Sequence, residues 1–62
     1  MNDLYTINAT DNDRSETVLE TSKPDYALSW LVYHLYSLGR CKAWALIRTG
    51  EGAKVVLIEG KA

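Results

Sequence analysis

With 62 residues, the chain has room for one small domain, near the lower limit at which a single hydrophobic core is stable. A hydrophobic content of 47% and a net charge of −1 exclude a mostly disordered chain and the strong positive field of a typical nucleic-acid binder. One Cys and one His exclude a disulfide framework and argue against a structural zinc site. We therefore expect residues 1–62 to form a single domain.

The sequence shows no targeting or membrane-spanning signal. Residues 1–3 are not a basic leader, and the longest uncharged run, Tyr26–Gly39, has 14 residues, too few to cross a bilayer. We expect no membrane partner, a cytoplasmic location in which Cys41 stays a thiol, no cofactor and no bound metal.

The first part of the chain predicts a β-hairpin. Residues Leu4–Thr10 alternate between apolar and polar side chains, the period of a half-buried strand. Residues 11–15 (DNDRS) have turn composition, because Asn and Asp bond their own backbone and tolerate left-handed geometry. Residues Glu16–Thr21 then form a second, short strand.

One helix is predicted after the first hairpin. Ser22 is the expected N-cap, with Lys23 as the alternative, and Pro24 suits the first turn because its missing N–H has no intrahelical partner there. The helix should run to Leu38, and Gly39 is the expected left-handed stop.

Two further strands complete the prediction. Residues Lys42–Thr49 alternate, Gly50–Gly52 form a turn, and Lys54–Glu59 are apolar on both faces, as in a central or doubly covered strand. The predicted fold class is α+β: a two-layer β-β-α-β-β arrangement of antiparallel hairpins, with one helix packed on a single sheet.

The third strand leaves two assignments open. Either Ala43, Ala45 and Ile47 face the helix, which leaves Trp44 on the back of the sheet, or Trp44 and Leu46 face the core. Small Ala side chains would let the two layers approach closely, which favours the first assignment.

The helix carries two apolar sides. At about 100° per residue, six aliphatic residues form a core-facing stripe over an arc of roughly 200° to 340° from Asp25. They are Ala27, Leu28, Leu31, Val32, Leu35 and Leu38. The remaining arc contains four rings, namely Tyr26, Trp30, Tyr33 and Tyr36.

The four rings predict a docking surface. A solvated helix face is normally rich in Glu, Lys and Arg, whereas no charged residue lies between Asp25 and Arg40. Tyr and Trp dominate protein interfaces, so we expect this face to bind another protein or a second copy of the chain. His34 lies at the border of the two arcs and is interpreted as structural.

Charge is distributed unevenly along the chain. Residues 1–31 have six acidic and two basic residues, a net charge of −4, and residues 32–62 have two acidic and five basic residues, a net charge of +3. Attraction between the two hairpins is one explanation. The other is a pair of binding surfaces: the acidic hairpin would meet a protein partner, or the basic hairpin would meet nucleic acid.

Each binding alternative has its own candidate residues. For protein binding, the acidic candidates beside the four rings are Asp11, Asp13, Glu16 and Glu20. For single-stranded nucleic acid, held by charge and stacking, they are Arg40, Lys42, Trp44, Arg48 and Lys54.

Catalysis has no support in the sequence. It has no Gly-rich phosphate loop, no spacing typical of a nucleophile and its base, and no plausible pair of catalytic carboxylates. Residues 11–13 (DND) resemble the start of a calcium loop, but the required Gly and distal Glu are missing. We expect the protein not to be an enzyme.

The order β-β-α-β-β, the small size and the Ser-x-Pro-x-x-Ala pattern at Ser22, Pro24 and Ala27 resemble some small anti-CRISPR proteins of phages. The resemblance implies a phage or mobile-element protein that acts as a stoichiometric inhibitor of a bacterial defence complex, often through an acidic surface. A net charge of −1 does not fit a full mimic of DNA. We therefore expect a protein-binding module, with a homodimer as a further expectation and nucleic-acid binding as the alternative.

Overall fold

The computed structural model describes residues 3–61 as one four-stranded antiparallel sheet with two short helices. The elements are, in chain order, β1 (Leu4–Asp11), β2 (Arg14–Thr21), α1 (Pro24–Tyr33), α2 (Leu35–Leu38), β3 (Ala43–Gly50) and β4 (Ala53–Lys61). The strand order is β2-β1-β3-β4, so β1 and β3 join the two hairpins at the centre. The α+β class is confirmed, but the element order is β-β-α-α-β-β because the predicted single helix is split.

Both hairpins close through two-residue turns. Asp11 pairs with Arg14 across the first turn, and Gly50 pairs with Ala53 across the second. Asn12 has a φ of 57°, and the second turn has two residues with positive φ, Glu51 at 51° and Gly52 at 79°. In the second turn, positive φ at both positions matches the right-handed twist of the flanking strands. The predicted loop at residues 11–15 is thus shorter, and β2 begins earlier than expected.

The helix begins without the predicted Ser22 cap. Lys23, the alternative, is the N-cap of α1, has no side-chain capping bond, and precedes Pro24 at the first helical position. The Lys23 backbone N–H donates to Oγ1 of Thr21 at 3.1 Å. The end of β2 and the start of α1 are therefore tied by a threonine rather than by a serine cap.

The helical path breaks at His34. This residue has φ −105° and ψ 15°, and it separates α1 from α2. Its backbone N–H still donates to the Trp30 carbonyl at 3.0 Å, while its own carbonyl accepts from Leu38 at 2.9 Å. Gly39 has right-handed φ and ψ of −65° and −15°, so the predicted left-handed stop is wrong.

The core lies between α1–α2 and one face of the sheet. Ile7 and Leu46 are paired across β1 and β3, and they are the two largest fully buried side chains. They belong to a cluster that also includes the buried helical residues Ala27, Leu31 and Leu38. This face of the sheet is called the helix side below, and the opposite face the back.

The favoured assignment of β3 is wrong. Leu46 belongs to the buried cluster and Trp44 packs against it, so both lie on the helix side. Ala43, Ala45 and Ile47 alternate with them and face the back. The helix side accepts the large indole because Trp44 pairs with Gly60 on β4, and the ring occupies the space that a side chain at position 60 would need.

The sheet has an approximate internal twofold axis at the pair Ile7–Leu46. Each hairpin has a bulge at an equivalent place: one extra residue of β2 opposite Ile7/Asn8, and one extra residue of β4 opposite Leu46/Ile47. The extra residues are Val18 and Leu57. In β2 the bulge lets both Val18 and Leu19 pack against the core.

The helices cover only half of this sheet, because α1 packs chiefly on β1 and β2. Within residues 3–61, β4 is an edge strand, and all residues from Ala53 to Glu59 are exposed. The interpretation of its apolar run as a central or doubly covered strand is therefore wrong. Half-coverage also narrows the buried stripe of the helix, which leaves Leu28, Val32 and Leu35 exposed, contrary to prediction.

No helix within residues 3–61 is long and apolar enough to cross a membrane.

Substitution of two leucines in α1 tests which side of this helix is buried. Leu31 is 5% exposed and Leu28 is 45% exposed. We expect Leu31→Ala to lower the free energy of unfolding by about 2–5 kcal/mol because it opens a cavity in the core. Leu28→Ala should cost less than about 1 kcal/mol. Urea unfolding of both variants measures the difference, and equal losses would contradict the described orientation of α1.

Gly60→Ala tests the contact with the indole. A Cβ at this position would lie 2.8 Å from Cζ2 of Trp44, closer than real Cβ contacts. We expect the ring to be displaced and the free energy of unfolding to fall by about 1–3 kcal/mol. Lys61→Ala, at the exposed neighbouring position, is the control and should have little effect. Urea unfolding followed by tryptophan emission reports both stability and the position of the ring.

Candidate docking surface

An apolar stripe runs along the solvent side of α1 and α2. It consists of Leu28, Val32 and Leu35, which are 45%, 72% and 49% exposed. Their spacing of i, i+4 and i+7 places them on one side of a helix. Groups of this spacing are the anchors by which an amphipathic helix binds in an apolar groove of another protein.

Three of the four predicted rings extend this stripe. Tyr33 and Tyr36 are 84% and 82% exposed, and Tyr26 is 54% exposed. Their placement on the solvent side agrees with the prediction. Leu28, Val32, Leu35, Tyr26, Tyr33 and Tyr36 are together called the helix face below.

Trp30 does not belong to the helix face. It is half-buried and packs against the core cluster, contrary to the prediction that it faces water. Its indole stacks on the imidazole of His34, with ring centroids 3.9 Å apart and planes inclined by 21°. Trp30 lies at the margin of the core, and only its outer side contributes to the surface.

His34 has the structural role that the sequence predicts. Its Nδ1 lies 3.0 Å from the Trp30 carbonyl oxygen, at the point where α1 ends. Its ring also meets the edge of Tyr33 at a centroid distance of 5.1 Å and an angle of 71°. The imidazole thus packs at the helix break and contacts both the half-buried indole and the exposed tyrosine.

The surface of the helix face has two shallow depressions. One open depression is lined by Leu28, Ser29, Val32 and Tyr33, and a second by Tyr26, Ser29, Trp30, Tyr33 and His34. Ser29 lines both depressions, and its small side chain leaves space between the surrounding large ones. Such spaces can accept side chains of a partner, which is how interface anchors are buried.

The four predicted acidic residues are exposed but do not form one patch. Asp11 and Asp13 lie at the tip of the first hairpin. Glu16 pairs with Ala9, whose side chain is on the helix side, whereas Glu20 pairs with Thr6 on the back. The acidic hairpin therefore gives a diffuse negative field around the helix face rather than a single site.

The predicted nucleic-acid residues do not share a surface either. Arg40 and Lys42 precede β3, whereas Arg48 lies near its far end, about 20 Å away at 3.3 Å per residue. Arg48 pairs with Val55 on the helix side, and Lys54 pairs with Thr49 on the back. Arg48 and Lys54 therefore lie on opposite faces of the sheet and do not contact the same stretch of a phosphate backbone.

Trp44 is only partly exposed. Its indole covers Gly60 and packs against the core cluster. The stacking platform of the nucleic-acid alternative is therefore partly used in internal packing.

Sequence reasoning missed the exposed aliphatic residues of the helices. It placed Leu28, Val32 and Leu35 in the core, because a helical wheel shows the width of an apolar stripe but not how much of it a sheet covers. The total apolar area of the helix could have identified them. Six aliphatic residues and four rings have more apolar surface than one helix can bury against one small sheet.

Within the described part of the chain, no group of three or more His, Cys, Asp or Glu side chains could hold a metal ion. Comparison of the chain with known protein families, curated proteins and solved structures found no match.

Chemical modification tests the geometry of the helix face. We expect tetranitromethane to nitrate Tyr33, Tyr36 and Tyr26 before Tyr5, because Tyr5 is half-buried and packs against the core. Mass spectrometry of proteolytic peptides after brief treatment measures the order. Nitration of Tyr5 at the rate of Tyr33 would contradict the exposures described here.

Proposed function

We propose that this protein is a non-enzymatic protein-binding module that docks through the helix face. The observation that supports the proposal is the continuous apolar and aromatic surface on α1 and α2. It contains Leu28, Val32 and Leu35 at groove-binding spacing, flanked by exposed tyrosines. Apolar patches of this kind on small proteins mark interaction sites.

Charge indicates the chemistry of the partner. The helix face has no charged residue between Asp25 and Arg40, while Asp25 lies in the first turn of α1. The hairpin beneath the helix contributes Glu16, which is exposed and pairs with Ala9 on the helix side. A complementary partner has an apolar groove and basic side chains beside it, because opposite charge at the rim speeds association and selects orientation.

A more specific role, that of an inhibitor, is a prediction. Inhibition of a bacterial defence complex by a phage or mobile-element protein is implied by size and architecture alone. It is compatible with a helix that binds in a groove, since an inhibitor of this size acts by occupying a surface. Nucleic-acid binding is the less favoured alternative, because its cations are dispersed and Trp44 is packed internally.

Site-specific photo-crosslinking tests the proposal. We expect a benzophenone amino acid at Tyr33 to form one discrete adduct with a protein in the producing cell. The same group at Thr17, exposed on β2, is the control and should not form that adduct. Once identified, the partner can be purified and its affinity measured by calorimetry.

Two lysine substitutions then separate the helix face from the rest of the surface. We expect Val32→Lys to weaken partner binding by at least about 30-fold, the loss typical of an interface hot spot. Thr17→Lys introduces a lysine at an exposed residue of β2 and should leave affinity within about threefold. Unchanged affinity in Val32→Lys would refute docking through this face.

A further inference from the structure

The outer edge of β4 is open and apolar. Within residues 3–61 no strand pairs with this edge. Four consecutive large side chains, Val55, Val56, Leu57 and Ile58, are each at least 39% exposed. An edge strand of this length and composition presents unpaired N–H and C=O groups to any strand that can add to the sheet.

The other edge of the sheet is protected. Strand β2 has charged and hydroxyl side chains along most of its length, and no large apolar side chain of β2 is exposed. Its two apolar residues, Val18 and Leu19, turn toward the core. Charged and polar edges resist strand addition. The two edges therefore differ, although the sheet is nearly twofold symmetric.

We propose that β4 pairs antiparallel with β4 of a second copy of this chain, which creates an eight-stranded sheet with the helices of both copies on the same side. The occupant is a second copy because β4 is complementary to itself in both side-chain direction and charge.

Side-chain direction selects the register of this pairing. Val55 and Ile58 lie on the helix side, opposite Arg48 and Leu46 of β3, because the bulge at Leu57 shifts the alternation by one residue. With the twofold axis between Val56 and Leu57, Val55 lies opposite Ile58 of the second copy. Both side chains then continue the same face of the joint sheet.

The same register pairs opposite charges. Lys54 and Glu59 both lie on the back of the sheet, opposite Thr49 and Ala45 of β3. Around this axis, Lys54 of each copy is directly opposite Glu59 of the other, which gives two equivalent ion pairs. Cross-strand pairs of opposite charge stabilise antiparallel strands, and like charges there destabilise them.

Other registers lose one of these two matches. A shift by one residue places Lys54 opposite Ile58, whose side chains lie on opposite faces. A shift by two residues opposes either Lys54 to Lys61, which have like charge, or Val55 to Val56, which face opposite sides. The bulge and the two charges thus specify one pairing.

Sedimentation velocity tests the proposal on the full chain. One strand from each copy is a small interface compared with the ~1,200–2,000 Å² of stable complexes, so we expect a reversible dimer with a dissociation constant in the micromolar range. A chain that remains monomeric up to about 1 mM would overturn the proposal, as would assembly beyond two copies, because the second edge is protected.

A charge-swap series tests the register. We expect Lys54→Glu and Glu59→Lys each to raise the dissociation constant about tenfold, since each replaces two attractive pairs with two repulsive ones. The double variant Lys54→Glu/Glu59→Lys should return it to within about threefold of the wild type. A dimer without this rescue would overturn the proposed pairing.

Matched controls exclude a general effect of net charge. Glu20→Lys makes the same change on the opposite edge, and Lys23→Glu matches Lys54→Glu; both positions are exposed. Neither should alter the dissociation constant, and weakening equal to that of the β4 variants would overturn the proposal. Val32→Lys should also leave the dimer intact, which separates this inference from docking through the helix face. Circular dichroism checks that each variant is folded.

Discussion

The fold depends on a single layer contact at the centre of the sheet. Ile7 and Leu46 pair across β1 and β3, are almost fully buried, and hold the two hairpins together beneath Ala27 and Leu31. Helix α1 packs chiefly on β1 and β2, so the helices cover only that half of the sheet. The helices cover the hairpin β1–β2 and leave most of the hairpin β3–β4 uncovered.

Both proposed binding surfaces, the helix face and the edge of β4, are exposed because the helices cover only half of the sheet. The helix has apolar side chains over more of its circumference than β1 and β2 can bury, so Leu28, Val32 and Leu35 remain outside. The uncovered hairpin exposes β4 in the same way. Small domains bury a lower fraction of their surface than large ones, and here the apolar remainder is gathered on two defined features rather than scattered.

Local pattern was enough to predict the four strands and the α+β class, since alternation and turn residues act over short distances. The elements that depended on packing were not predictable in this way. The break at His34 arises where its imidazole stacks on Trp30, and Trp44 faces the core because Gly60 leaves room for it. Of the candidate site, exposed Tyr33 and Tyr36 were predictable, whereas exposed Val32 required knowledge of what the sheet covers.

The run from Lys54 to Glu59 has one more consequence. Valine, leucine and isoleucine in succession form the kind of segment that nucleates fibrils when a chain unfolds. A charge at each end makes Lys54 and Glu59 gatekeepers, because stacking in parallel register would place identical charges on top of one another. The same two side chains that favour an antiparallel pair thereby oppose an endless parallel array.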